Sequence, residues 1–210
     1  ESLVTDLRGA GRSDAPPGPY TVSALSSDLV AVLRDANVRA AHLVGAGLGG
    51  MVALQTALST SRVRSLVLVG TAARGAGIDL DPLWGPPDDE AALERSLTAG
   101  FSAEFVDAHP DAVERMVAWR ADEDASRDAW TAQAAAVTDF DVSDRLYEVT
   151  DPALVVHGGA DEVWPPSRGE TLAENLPRGE FRGVDGAGHL VHVEASRRVN
   201  DELLGFLDGL

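Results

Sequence analysis

Cysteine is absent from the 210 residues. That excludes a disulfide scaffold, thiolate metal sites and a cysteine nucleophile. Lysine is absent too, because all 17 basic residues are arginine. Schiff-base chemistry and a P-loop lysine are therefore excluded. Long apolar runs are missing. None approaches the roughly 18 residues that span a bilayer, and no basic-then-apolar signal pattern opens the chain. Positive charge is outnumbered, with 34 acidic residues giving a formal charge of -17. Such a surface repels nucleic-acid phosphates and favours solubility. The expectation is a cytoplasmic protein with neither a nucleic-acid nor a membrane partner. No metal and no cofactor is expected.

What is present fits an ordinary globular chain, 44% hydrophobic and 24% charged. Its length suits one domain with room for an insertion. There is no internal repeat and no low-complexity tract. "LVTDL" (3–7) reads as a short strand, and the Gly- and Pro-rich "RGAGRSDAPPGP" as a loop. Val22, Leu25, Leu29, Val32 and Leu33 recur at helical spacing, with Thr21 or Ser23 placed to cap them. "AHLVG" reads as a buried strand, "LGGMVALQTAL" as a helix, and "VRSLVLVGTAA" as a strand covered on both faces.

From about Arg74 to Asp144 no strong strand occurs. Helical pieces such as "DEAALERSLTAGF" and "DAVERMVAWRADEDASRDAWTAQAAAV" fill this stretch. "PPDDEAALE" is a capped helix start, and its acids lack the geometry for a hard cation. Alternation then resumes with "ALVVHGG", "RGETLAENL", "GEFRGV" and the amphipathic "SRRVNDELLGFLDGL". Strand–helix alternation with continuous apolar strands predicts an α/β fold, a mostly parallel sheet with helices on both faces. The expected division is a core of residues 1–74 and 145–210 and a helical cap of 75–144. A cap there would cover the strand ends where such sheets bind ligands.

Three stretches carry the chemistry. "AHLVGAGLGGMVAL" (41–54) is a strand, a glycine-packed turn and a helix start, with Gly47 at the tip. "VVHGGADEVWPP" places Asp161 after the next-to-last strand, and "VDGAGHLVHVE" places His189 after the last. With "DLRGAGRSDAPPGPYTVSALSSDLVAVL", "LVLVGTAAR", "FVDAHPDAVERM" and "DFDVSDRL", these resemble the α/β-hydrolase superfamily. The branch most similar is that of the 3-oxoadipate enol-lactonases. The likeness runs through nearly the whole chain and is weaker from about Gly75 to Gly100.

That resemblance implies Asp161 as the acid and His189 as the base of a catalytic triad. It also implies the Leu48 N–H as an oxyanion donor. The third member is not carried over, because Gly47 stands where the family has serine. No Ser, Thr, Cys or Asp lies between Gly45 and Gly50 to replace it. The family also has 50 to 60 residues ahead of the "LVTDL" stretch, and a further strand pairing between "LVTDL" and "AHLVG". The chain begins at Glu1 inside a strand-like run, so a preceding segment or a complementing N-terminal segment is expected. Homo-oligomerisation is left open.

Arg74, Trp84, Trp130 and Trp164 are candidate substrate contacts. For Arg74 the competing reading is a surface ion pair; for the tryptophans it is core filling. His42 and His157 read as satisfied core or edge histidines, His192 as a residue behind the site or at the surface, and His109 as a surface residue of the cap.

Three functions follow. The first is an enzyme acting on a small ester, lactone or enol-lactone-like substrate, with His189–Asp161 as general base in place of a nucleophile. Non-hydrolytic proton transfer, lyase or cyclase chemistry would use the same pair. The second is a catalytically dead pseudo-hydrolase that binds a small ligand or partner. The third is an active serine hydrolase whose serine was exchanged for glycine by design.

Overall fold

The computed structural model describes residues 2–210. Its centre is a parallel sheet of four strands in the order β1-β2-β3-β4. The strands are β1 (Ala41–Ala46), β2 (Val63–Val69), β3 (Ala153–Gly158) and β4 (Gly179–Val184). Each neighbouring pair is parallel, so all four strands point their C-terminal ends the same way.

Side chains alternate across the sheet. On β2, Leu66 and Leu68 join one core cluster while Val67 and Val69 join another. On β3, Ala153 and Val155 face the first cluster, Leu154 and Val156 the second. Helices therefore cover both faces of these central strands, which explains their unbroken apolar runs. The larger cluster takes in α1 (Val22–Asp35), α2 (Leu48–Ser59) and α7 (Pro166–Asn175). The smaller one takes in α9 (Ser196–Asp208) through Val199, Leu203 and Phe206. Thr21 caps α1 by accepting from the Ala24 N–H at 3.1 Å, one of the two capping options.

Two expectations about the N-terminal part need correction. Residues 3–7 form no strand, and they are mostly exposed. A strand needs a partner for its backbone groups, and β1 pairs only with β2 among the described residues. For the same reason β1 is half-exposed rather than buried. Leu43 and Gly45 face the core, while Val44 is 58% exposed.

Between β2 and β3 the chain is helical: α3 (Glu90–Thr98), α4 (Ala103–Ala108), α5 (Pro110–Glu123) and α6 (Arg127–Thr138). The long helical run expected over 111–137 is two helices. α5 ends at Glu123, and α6 restarts at a Ser126 cap that accepts from the Ala129 N–H. Asp89 caps α3 in the same way. The two ends of this helical segment are pinned together. Gly75 donates to the Phe140 carbonyl and Val142 to the Ala73 carbonyl, each at 2.9 Å. α3 and α5 build a small core of Leu93, Leu97, Phe101, Val113 and Val117, against which Leu190 packs. α8 (Val191–Glu194) follows directly on Leu190.

Candidate active site

Three loops meet at the C-terminal ends of the strands. The first joins β1 to α2. Gly47 has φ 51 and ψ -119, a conformation that costs a side-chain-bearing residue roughly 1–3 kcal/mol. Gly45 lets the helix start lie against the strand, since a Cβ there would come within 2.3 Å of the Gly49 carbonyl oxygen. The Gly47 amide is anchored to the Val69 carbonyl at 2.9 Å. Thr71 Oγ1 donates to the Gly47 carbonyl at 2.7 Å. Leu48 is the first residue of α2, so its N–H lacks an intrahelical acceptor and carries the positive end of the helix dipole.

The second loop follows β3 and holds Asp161, which is buried. Both of its oxygens are engaged. Oδ1 accepts from the N–H groups of Val163 at 2.9 Å and Trp164 at 2.8 Å. Oδ2 accepts from His189 Nδ1 at 2.9 Å and lies 3.1 Å from His157 Nε2. Burial by itself would raise the Asp161 pKa. The hydrogen bonds from His157 and His189, the charge of His189 and the Trp164 N–H outweigh it and bring the pKa down to about 2. The carboxyl is thus held ionised near neutrality.

The third loop follows β4 and holds His189. Its Nδ1 can only donate to the carboxylate, which leaves Nε2 as the free nitrogen. That nitrogen faces the tip of the first loop. An ideal Cβ built on Gly47 would lie 3.9 Å from His189 Nε2, with no other atom outside its chain neighbours within 4 Å. The structure therefore brings Gly47, Leu48, Asp161 and His189 together.

The other candidates are placed differently. Trp164 is buried at 1% exposure and its ring lies 5.7 Å from the His189 ring, tilted by 39°. Trp84 and Trp130 pack on each other at 5.6 Å, and the Arg127 guanidinium sits over Trp84 at 5.1 Å. Arg74 is exposed and lies 3.5 Å from Asp141, which is the ion-pair alternative. His42 Nδ1 pairs with Ser65 Oγ at 2.7 Å. His109 joins α4 to α5 and packs on Phe105 at 4.8 Å. His192 is half-buried, and burial together with the nearby His189 pushes its pKa down.

One participant was not singled out from the sequence. Glu194 accepts from the Gly188 N–H at 2.9 Å, the residue before His189. It also accepts from the Ser102 N–H at 3.1 Å and from the Ser102 hydroxyl. The Leu190 N–H donates to the Gly100 carbonyl at 2.8 Å. The histidine loop is thereby tied to the helical segment at two points. The readable signal is a carboxylate five residues after His189.

Among the described residues no cluster of His, Cys, Asp or Glu could hold a metal ion. No helix among them is long and apolar enough to cross a membrane. A surface hollow of about 440 Å³ lies elsewhere, at the N-terminal ends of β3 and β4, lined by Pro152, Arg178, Arg182 and Phe206.

These features define a class. The family model described as "alpha/beta hydrolase fold" matches residues 1–196, and the chain belongs to that family. It is 30% identical to a Caulobacter segnis protein named as a carbamate hydrolase, RutD, over 99% of this chain and 81% of that one. It is 25% identical to 3-oxoadipate enol-lactonase 2 of Acinetobacter baylyi, over 94% of this chain and 75% of the relative. The solved structure of Est816, an N-acyl homoserine lactone degrading enzyme, superposes with a TM-score of 0.80 at 29% identity. That match covers 96% of this chain and 80% of Est816.

Proposed function

We propose that the chain hydrolyses a small ester, lactone or enol-lactone-like substrate, with Asp161 and His189 as the general-base pair in place of a serine nucleophile. The carrying observation is the free His189 Nε2, which faces the Gly47 tip at 3.9 Å from where a Cβ would be. A water molecule at that position takes the place of a serine hydroxyl. His189 Nε2 accepts one proton as the water oxygen bonds to the acyl carbon. The negative charge moves to the carbonyl oxygen, beside the Leu48 N–H at the start of α2. When the tetrahedral adduct collapses, the bond to the leaving oxygen breaks and His189 returns its proton to that oxygen. Asp161 stays ionised throughout and stabilises the imidazolium between the two steps.

The named activities of the relatives support this substrate class. A carbamate, an enol-lactone and an acyl homoserine lactone each present an acyl carbon bonded to a heteroatom. The helical segment 75–144 acts as the cap of this site and 1–74 with 145–210 as its core. Trp164, buried against the His189 ring, supports that ring rather than touching substrate, and Trp84 with Trp130 shapes the cap.

The test is turnover of aryl esters and lactones by the chain, by His189→Ala and by Asp161→Asn. General-base catalysis requires both substitutions to lower kcat by at least about 10²-fold. Unchanged turnover in His189→Ala removes this reading. Gly47 itself favours a second one. It relieves backbone strain at the tip while removing the attacking oxygen, as expected of a pseudo-hydrolase that keeps its pocket only to bind. Binding of small carboxylic acids without turnover of any ester would support that reading.

A further inference from the structure

His157 ends the apolar run of β3 and is completely buried. A histidine there costs more than a valine or leucine unless its ring nitrogens are satisfied. Its Nε2 lies 2.8 Å from the Trp164 carbonyl oxygen and 3.1 Å from Asp161 Oδ2. Both neighbours are acceptors, so this nitrogen must carry a proton. Its Nδ1 is buried without a partner. The ring's one proton therefore sits on Nε2, because a proton on Nδ1 would be a buried donor with no acceptor.

The ring's position is set by α7. A Cβ on Gly169 would come within 2.5 Å of His157 Nδ1 and 3.3 Å of Phe181 Cε2. Only a residue without a side chain leaves room for the imidazole at this point of the helix. β3, the acid loop and α7 thus combine to place one N–H on the Trp164 carbonyl and 3.1 Å from Asp161 Oδ2, the oxygen that also receives His189.

We propose that His157 is a positioning residue for the Asp161–His189 pair: its Nε2–H, shared between the Trp164 carbonyl and Asp161 Oδ2, fixes the carboxylate and divides Oδ2 between two histidines. Oδ1 is already held by two backbone N–H groups. Without His157, Oδ2 would be pinned by His189 alone. A carboxylate oxygen serving one donor accepts more strongly than one serving two, so the bond from His189 Nδ1 is weaker with His157 present. This deepens the general-base reading, and its roles for Asp161 and His189 rest on that reading, but its test needs no turnover.

Nitrogen NMR of histidine-labelled protein reads the tautomer directly. The expected result is a protonated Nε2 and a bare Nδ1 for His157; the opposite tautomer overturns the proposal. The far-downfield proton resonance of His189 Nδ1–H reads the shared bond. His157→Phe, which keeps the ring volume and removes the donor, should move that resonance further downfield. His157→Gln, whose side-chain N–H can replace Nε2–H, should return it towards the parent position. Gly169→Ala, which forces the His157 ring to move while keeping the residue, should match the Phe variant. An unmoved resonance in His157→Phe, or equal shifts in the Phe and Gln variants, would reduce His157 to packing. If His157→Phe does not fold, an unmoved resonance in Gly169→Ala overturns the proposal in the same way. A protein without turnover in which these shifts occur loses the general-base reading and keeps this one.

Discussion

The tip of the first loop and the histidine of the third face one another, with the Gly47 Cβ direction ending 3.9 Å from His189 Nε2. A Cβ at 47 would have that nitrogen as its one neighbour within 4 Å beyond the two adjacent residues, among the described residues. Gly47→Ser therefore puts a hydroxyl within hydrogen-bond reach of His189. It does so at positive φ, so the substitution should lower stability by about 1–3 kcal/mol. Denaturant unfolding of the two forms measures this. A stability equal to the parent's would mean that the tip relaxes away from its present conformation.

The depressed pKa of Asp161 makes a statement about acid stability. Its pKa falls from 3.8 to about 2 on folding, so the folded state binds this proton less readily than the unfolded state does. The resulting stabilisation is complete above about pH 4 and is lost as pH falls towards 2. Its size is on the order of 2 kcal/mol. Asp161→Asn should flatten the acid limb of a stability–pH curve in that window. An unaltered limb would show that other carboxylates dominate it.

Glu194 joins the His189 loop to the helical segment through Gly188 and Ser102. Glu194→Ala leaves two partly buried N–H groups without their acceptor. The expected loss is about 1–3 kcal/mol for the groups left unpaired, together with faster amide exchange at Gly188 and Ser102. Exchange unchanged at both amides would show that the loop is held by other contacts, such as Leu190 on Gly100.

Arg74 and Asp141 are both more than half exposed and lie 3.5 Å apart. Pairs of this kind contribute about 0–1 kcal/mol. Arg74→Ala should therefore shift the thermal midpoint little. It should also leave KM for a carboxylate-bearing ester unchanged, since Asp141 already answers the charge. A several-fold rise in KM for the acidic ester alone would return Arg74 to the substrate site.

The alternation of strands and helices was legible because central strands buried on both faces leave unbroken apolar runs, as β2 and β3 do. The acid and histidine were legible by resemblance, each in the loop after its strand. "LVTDL" misled because an apolar run fits a strand locally, yet strand formation depends on a neighbour for the backbone. Val44 misled for the same reason, being apolar on an uncovered edge strand. Glu194 and His157 were harder. The Ser102 contact of Glu194 spans 92 residues, and local patterning carries no record of it. His157 has one satisfied nitrogen and one bare one, and only the position of Asp161 makes the satisfied one chemically significant.

The central claim is that His189, oriented by Asp161, points its free nitrogen at position 47. Covalent labelling by a fluorophosphonate, followed by intact mass, tests it most directly. The parent chain should take no label, Gly47→Ser should take one per chain, and Gly47→Ser combined with His189→Ala should react at least about 10²-fold more slowly. A folded Gly47→Ser protein that stays unlabelled, or one that labels equally fast without His189, would contradict the account.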